Sequence, residues 1–296
     1  MHVMRSVARR GRRHLPPPAQ AVARRAVLGF GWVTARWRMQ PSFLIIGAQR
    51  SGTTTLFRLL SQHPSVVRPT SSKGVRYFDL GYAHGPRWYR AHFPLLVIGR
   101  MSGRAAQTFE SSGYYANHPL AAQRIAADLP NAKVVLMVRD PVERAYSAHA
   151  HELARGFETE DFETALALEE ERTAREEERL AADPAYVSGE HVHHFYLGRG
   201  RYVEQVDRFA RELGEERVYV LDADRFFAEP RAEVAALVDW LGLPAWQPTA
   251  LVHENARPRA PMSSELHDRL RAYYQPYDAR LTDWLGHPPS WRAEEK

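Results

Sequence analysis

Three short apolar runs, separated by segments of helical pattern, outline the fold. They are Phe43 to Ile46, which ends at Gly47, then Lys133 to Val138, and Val218 to Leu221. Continuous apolar runs of this length are typical of parallel strands that are buried on both faces. Because helical segments lie between them, the pattern predicts an α/β fold with a parallel sheet.

Apolar residues at helical spacing mark the segments between the predicted strands. A helix is expected after Thr53 that stops near Pro64, since proline disfavours a helical residue before it. Two more are expected over Pro119–Leu129 and Tyr202–Leu213, the second with one apolar face. The acidic and basic blocks of Asp161–Ala182 predict a solvent-exposed helix without a chemical role.

Composition narrows the classes of protein to consider. The 44% hydrophobic and 25% charged residues are typical of a soluble globular protein. The absence of cysteine excludes disulfides, thiolate zinc sites and cysteine nucleophiles. No apolar run reaches the roughly 18 residues of a membrane-spanning helix. We therefore expect a cytoplasmic protein. Its formal charge of +5 favours an anionic ligand, although N-terminal arginines contribute much of this charge.

The 296 residues are predicted to form a basic extension, residues 1–40, and one domain, residues 41–296. The domain contains a helical insertion near residues 157–200. The arginine- and proline-rich extension fits a cleavable signal peptide poorly. Two interpretations of it are open: a poorly ordered solvated tail, or a basic tether that makes peripheral contact with acidic lipid or a polyanionic substrate. Nucleic acid is not an expected partner.

The sequence GAQRSGTT follows the first predicted strand and opens the first predicted helix. Glycines let the backbone curl around an anion, and free amides at the helix N-terminus point towards it. Thr53 stands where a nucleoside triphosphatase carries lysine, which disfavours that class. Arg50 offers a fixed positive charge to a departing phosphate. The predicted binding residues of this phosphate loop are Gly47, Gln49, Arg50, Ser51, Gly52, Thr53 and Thr54.

A second anion site is predicted after the strand Lys133 to Val138. Arg139 follows this strand directly, and Ser147 comes eight residues later in the next predicted helix. Arginine binds phosphate oxygens with two parallel hydrogen bonds, and serine adds a hydroxyl donor. Two anion sites at the carboxyl ends of adjacent parallel strands suit a nucleotide with phosphate at both ends of its ribose.

Together these motifs resemble the sulfotransferase family that uses 3′-phosphoadenosine-5′-phosphosulfate, above all its heparan sulfate-type and related bacterial branch. Further similarity comes from KGVRYFD, WYRAHFP, TFESSGYY and ENARPRAPM, within Ser42 to Trp291. The resemblance implies a P-loop-type parallel sheet with helices on both faces, and no metal. It implies sulfuryl transfer to a hydroxyl or amine of a carbohydrate, lipid or small-molecule acceptor. Arg257 and Arg259 correspond to the family segment that closes over the nucleotide.

The resemblance departs from the family pattern at the proton acceptor. Relatives of the heparan branch often carry glutamate directly after the lysine that matches Lys73, and here that position is Gly74. Glycine cannot take a proton, so another residue must do so or the reaction needs little base help. The candidate catalytic residues are Arg50, Lys73, Glu110 and His84, with Arg76 and His149 as further polar residues of interest.

Two other functions stay open from the sequence. The phosphate loop is also compatible with a P-loop kinase that acts on a small molecule. Gly74 and the basic extension are compatible with a non-catalytic module that binds polyanions. The histidines of GEHVHHF, residues 189–195, lack a clearly placed further ligand, so a metal site is not expected there.

Overall fold

Five parallel strands form the centre of the fold in the computed structural model, which describes residues 17–100, 106–248 and 262–293. The sheet order is β2-β3-β1-β4-β5. The strands are β1 (Phe43–Gly47), β2 (Val66–Val67), β3 (Gln107–Ser111), β4 (Lys133–Val138) and β5 (Val218–Asp222). The prediction of a parallel sheet is confirmed, and β1, β4 and β5 lie where the apolar runs placed them.

The two faces of β1 bury alternate residues under two different layers of helices. Leu44 and Ile46 belong to one core, and Phe43 and Ile45 belong to the core on the opposite face. Because side chains alternate along a strand, a run that is apolar at every position must be covered on both sides. The helices on both faces follow from this pattern.

Fourteen α-helices lie within the described residues. They are α1 (Pro17–Val33), α2 (Thr53–Leu60), α3 (Gly85–Arg90), α4 (Leu96–Arg100), α5 (Ala121–Asp128), α6 (Pro141–Arg155), α7 (Phe162–Ala167), α8 (Glu169–Thr173), α9 (Glu176–Ala182), α10 (Gly189–His193), α11 (Tyr202–Leu213), α12 (Ala223–Ala228), α13 (Pro230–Trp240) and α14 (Ser264–Leu285). None of them is both long enough and apolar enough to cross a membrane. The predicted helix over Tyr202–Leu213 is found with the same bounds.

The prediction of one solvent-exposed helix over Asp161–Ala182 is wrong. Three short helices, α7, α8 and α9, occupy this segment, and Glu169 is buried. Its carboxylate accepts the backbone amides of Tyr196, Leu197 and Gly198 at 2.6 to 2.9 Å. A charged residue tolerates burial when its oxygens are hydrogen-bonded in this way, and the charge pattern alone does not reveal such distant donors.

Part of the N-terminal extension packs on the domain. Within it, α1 lies against the chain around Ala91, and the backbone of Met39 donates to the carbonyl of Pro94 at 2.8 Å. Arg38 is buried and donates to the carbonyl of Phe93 at 2.5 Å. Residues 1–16 lie outside the described residues.

Candidate active site

The loop between β1 and α2 is shaped as an anion cradle. Gly52 has a φ of +89°, in the left-handed region that favours glycine, and turns the chain into α2. Within the described part of the chain, the amides of Gly52, Thr53 and Thr54 have no hydrogen-bond acceptor. Free amides at a helix N-terminus bind phosphate groups, so the loop fits the 5′ phosphosulfate of the expected donor.

Lys73 places a cationic side chain at the start of α2. Its Nζ donates to Thr53 Oγ1 at 3.2 Å and to Thr54 Oγ1 at 3.0 Å. Burial, together with a smaller effect of the positive charge of Arg58, lowers the pKa of Lys73 to about 8. An anion bound by the amides of the loop would lie beside this ammonium group and favour its charged form.

The two predicted anion sites are in direct contact. Arg50 Nε donates to Ser147 Oγ at 3.1 Å, and Arg139 Nη1 donates to the carbonyl of Arg50 at 3.3 Å. Arg139 Nη2 also lies 4.0 Å from Glu143 Oε2, whereas the carboxylate of Asp140 caps the first turn of α6. The adjacent ends of β1 and β4, together with the helix α6 that follows β4, thus bring Arg50, Arg139 and Ser147 together.

A buried arginine that sequence reasoning missed as a site residue supports the loop. Arg199 is 4% exposed and donates to the side chain of Gln49, and it also donates to the carbonyls of His191 and Val192. Burial lowers the pKa of Arg199 to about 10. The sequence signal was an arginine between two glycines, but its partner Gln49 lies 150 residues away.

Glu110 lies inside the protein rather than at an open surface. It is 0% exposed and accepts four hydrogen bonds, from Val75 N at 2.6 Å, Tyr115 Oη at 2.7 Å, Ser112 Oγ at 2.8 Å and Tyr89 Oη at 3.0 Å. Burial raises the pKa of Glu110, while these donors favour its ionised form. This geometry is that of an anchor between β3 and the segment that follows Lys73.

Close packing explains why the expected base position is glycine. A Cβ atom at Gly74 would lie 2.5 Å from the carbonyl oxygen of Ser111 and 2.8 Å from Ser112 Oγ. The segment is held in this position because the amide of Ser111 donates to the carbonyl of Lys73 at 2.9 Å. A glutamate side chain at residue 74 would require the backbone to move.

The remaining candidates lie elsewhere or outside the described residues. His84 is exposed, and its ring packs on Trp88 with centroids 4.6 Å apart; no described contact joins it to the phosphate loop. His149 is buried and bonds to the carbonyl of Glu160 at 2.8 Å, as a packing residue does. Arg257 and Arg259 lie outside the described residues.

The histidines of residues 189–195 are used in packing and hydrogen bonds. His191 is buried and bonds to Tyr114 Oη at 2.6 Å, and His193 bonds to Glu152 at 2.8 Å. In residues 17–100, 106–248 and 262–293, no group of three or more His, Asp or Glu side chains is placed to hold a metal ion.

Comparisons with known proteins identify the family of this chain. Residues 40–257 match the family described as sulfotransferase domain. The chain is 30% identical over 209 residues to the bifunctional heparan sulfate N-deacetylase/N-sulfotransferase 1 of Caenorhabditis elegans, which covers 69% of this chain and 22% of that protein. This chain therefore spans about a fifth of that relative's length.

Two further comparisons cover most of the chain. Heparan sulfate glucosamine 3-O-sulfotransferase 6 of Homo sapiens is 25% identical over 299 residues, covering 93% of this chain and 80% of that protein. The crystal structure of a sulfotransferase from Alicyclobacillus acidocaldarius superimposes with a TM-score of 0.63 at 28% identity, covering 86% of this chain and 99% of that one.

Proposed function

The chain belongs to the sulfotransferase family of enzymes, and from this premise we propose that it transfers a sulfuryl group from 3′-phosphoadenosine-5′-phosphosulfate to a carbohydrate-bearing acceptor. The acceptor oxygen or nitrogen forms a bond to sulfur, and the bond from sulfur to the 5′ phosphate oxygen breaks. Adenosine 3′,5′-bisphosphate leaves with the electron pair of that bond. The acceptor loses one proton.

The observation that carries the proposal is the contact between the two anion sites. The loop amides and Lys73 suit the 5′ phosphosulfate, while Arg139 and Ser147 suit the 3′ phosphate. Arg50 contacts Ser147, at the junction of the two sites. A nucleotide with phosphates on both ends of one ribose has this pattern of charge.

Residues on the leaving side supply most of the expected rate acceleration. Sulfuryl transfer resembles phosphoryl transfer, in which a loose transition state is helped by positioning and by charge on the leaving oxygen. Arg50 and Lys73 bring two cationic groups to that side of the site. Glu110 accepts a hydrogen bond from the amide of Val75 and so holds the segment that contains Lys73 in place.

A carbohydrate acceptor is proposed from the names of the relatives. Both named relatives act on heparan sulfate by their names, one at an amine and one at a hydroxyl. The acceptor of this chain is therefore proposed as a class, a hydroxyl or amine on a sugar, alone or carried by a lipid.

Calorimetric titration with adenosine 3′,5′-bisphosphate tests the donor site. We expect Arg139→Ala and Ser147→Ala to weaken binding, the arginine variant by about tenfold to a hundredfold because a charge-assisted bond is lost. Arg155→Ala is the matched control, since Arg155 lies on the last turn of α6, the helix that contains Ser147, and pairs with Glu152. A wild-type chain that ignores this ligand would refute the proposal.

A sulfate-transfer assay against sugar acceptors tests the reaction itself. Turnover should be lost in Arg50→Ala and retained in Arg155→Ala. Magnesium-dependent ATP turnover without any response to the sulfonated nucleotide would instead support the small-molecule kinase. Thr53 in place of the kinase-type lysine argues against that outcome.

A further inference from the structure

The end of α1 and the turn after it expose large apolar side chains next to each other in the sequence. Phe30 is 58% exposed, Trp32 49%, Val33 62% and Trp37 49%. Val33 and Trp37 also line a groove of about 670 Å³ between this segment and α3. Apolar groups clustered in this way on a protein surface mark a place of contact with another apolar phase.

The segment is fixed on the domain, so the exposure of these side chains does not come from a loose end. A Cβ atom at Gly31 would lie 2.5 Å from the carbonyl oxygen of Ala91, which shows how closely α1 approaches the domain. Arg87 Nε on α3 donates to the carbonyl of Trp32 at 3.0 Å. On the other side of the turn, Arg38 Nε donates to Thr34 Oγ1 at 2.8 Å.

An arginine side chain stacks on each of the two exposed tryptophans, Trp32 and Trp37. The Arg36 guanidinium carbon lies 3.9 Å from the centroid of the Trp37 ring, and that of Arg87 lies 3.6 Å from the centroid of the Trp32 ring. Tryptophan and arginine together suit the boundary between lipid chains and headgroups, because one presents an apolar ring and the other reaches the phosphates.

The N-terminal part of the sequence is basic, and the remainder is acidic. Residues 1–78 contain 14 of the 40 lysines and arginines and none of the 35 aspartates and glutamates. The rest of the chain has 26 basic and 35 acidic residues and is net negative. Within that stretch, residues 17–40 contain four arginines and no acidic residue, so an anionic lipid surface attracts the segment that carries the exposed aromatic rings.

We propose that α1 and the turn Ala35–Trp37 form a docking surface for an anionic phospholipid bilayer. Trp32, Val33 and Trp37 enter the interface, and Arg36 and Arg87 contact lipid phosphates. The α1 helix is 17 residues long, about 25 Å, and contains Arg24 and Arg25. Because these charged residues disfavour insertion across the bilayer, the helix lies parallel to the bilayer surface. A soluble polyanion would account for the arginines, but it offers no apolar environment to the exposed side chains of Phe30 and Val33, which favours the bilayer. This inference does not depend on the proposed reaction.

Co-sedimentation of the full chain with lipid vesicles tests the docking surface. We expect binding to vesicles of phosphatidylcholine mixed with phosphatidylglycerol, and little binding to phosphatidylcholine alone. The double variant Trp32→Ala/Trp37→Ala should lose at least about tenfold in affinity for the mixed vesicles. Phe157→Ala is the matched control, because Phe157 is an aromatic residue 46% exposed on another part of the surface. Unchanged affinity for adenosine 3′,5′-bisphosphate shows that the variants are folded.

A second measurement, the quenching of native tryptophan fluorescence by lipid, does not depend on whether the alanine variant folds. Brominated lipid chains in the mixed vesicles should quench part of the fluorescence of the seven tryptophans. The variant Trp32→Phe/Trp37→Phe should bind the vesicles and lose this quenching. Equal vesicle binding by the native chain and the alanine variant would overturn the proposal, as would native protein that is not quenched. If the native chain in either case still binds soluble heparin, the arginines of this surface bind a soluble polyanion rather than lipid.

Discussion

The low pKa of Lys73 leads to a pH dependence of nucleotide binding. In the protein without ligand, burial lowers the pKa of Lys73 from 10.5 to about 8, with Arg58 adding a smaller contribution. Bound phosphate favours the charged ammonium and raises its pKa again. Above pH 8, binding must therefore be accompanied by uptake of a proton, and the affinity falls as the pH rises.

The size of the pH effect on nucleotide binding follows from the change in the pKa of Lys73. Restoring the pKa of Lys73 from about 8 to 10.5 corresponds to about 3 kcal/mol of interaction with the ligand, at 1.36 kcal/mol per pH unit. We expect the dissociation constant for adenosine 3′,5′-bisphosphate to rise about tenfold between pH 7 and pH 9. The phosphates of the ligand are fully ionised in this range and contribute little to the change.

Calorimetric titration at a series of pH values measures this dependence directly. At pH 8, titrations in buffers of different ionisation enthalpy should show uptake of about half a proton per ligand. Lys73→Met should bind more weakly at pH 7 and lose the dependence, while Lys73→Arg should also lose it because arginine stays charged. A dissociation constant that is flat from pH 7 to 9, or a Lys73→Met variant that keeps the native slope, would refute the reasoning.

Three other residues give sharp expectations. Gly74→Glu should lower the free energy of unfolding by about 1 to 3 kcal/mol in urea titrations, because its Cβ would overlap Ser111 and Ser112, and it should not accelerate transfer. Glu110→Gln should keep the shape of the pH–rate profile, whereas Glu110→Ala should cost about 3 kcal/mol of stability. If Glu110→Gln instead removes the fall in rate at low pH, Glu110 is the base. Burial lowers the pKa of His118 from 6.5 to about 3. The unfolded chain thus binds more protons between these values, and stability should fall by about 1.4 kcal/mol per pH unit below pH 6.5, less steeply in His118→Gln.

The strands that local sequence predicts are those that contain a continuous run of at least four apolar residues. In β3 the buried residues include Thr108, Glu110 and Ser111, so its sequence has no apolar run to mark it. Thr108 donates to the carbonyl of Val67, 41 residues away along the chain, and the carboxylate of Glu110 accepts from four donors. A strand that depends on distant hydrogen-bond partners cannot be predicted from hydrophobicity alone.

The same distinction separates the site residues that were predicted from those that were missed. The phosphate loop and Arg139 lie at strand ends, where sequence and topology together fix their positions. Arg199 and Glu169 are buried charges that position the loop and the turn after α10, and both act through long-range hydrogen bonds. Charged residues in a sequence look alike whether they face solvent or are paired inside.

The arrangement around Gly74 indicates that charge stabilisation on the leaving group, rather than a general base, accelerates the proposed reaction. The carboxylate of Glu110 is already occupied by four donors, and the backbone of Gly74 lies too close to Ser111 for any side chain. In a loose transition state the new bond to the acceptor is only slightly formed, so the acceptor proton is lost late and a strong base contributes little. Charge on the departing phosphate develops early and is stabilised by fixed cations. The proposed reaction puts Arg50 and Lys73 on the leaving side, so we expect its rate to depend on these two cations more than on any carboxylate in the described residues.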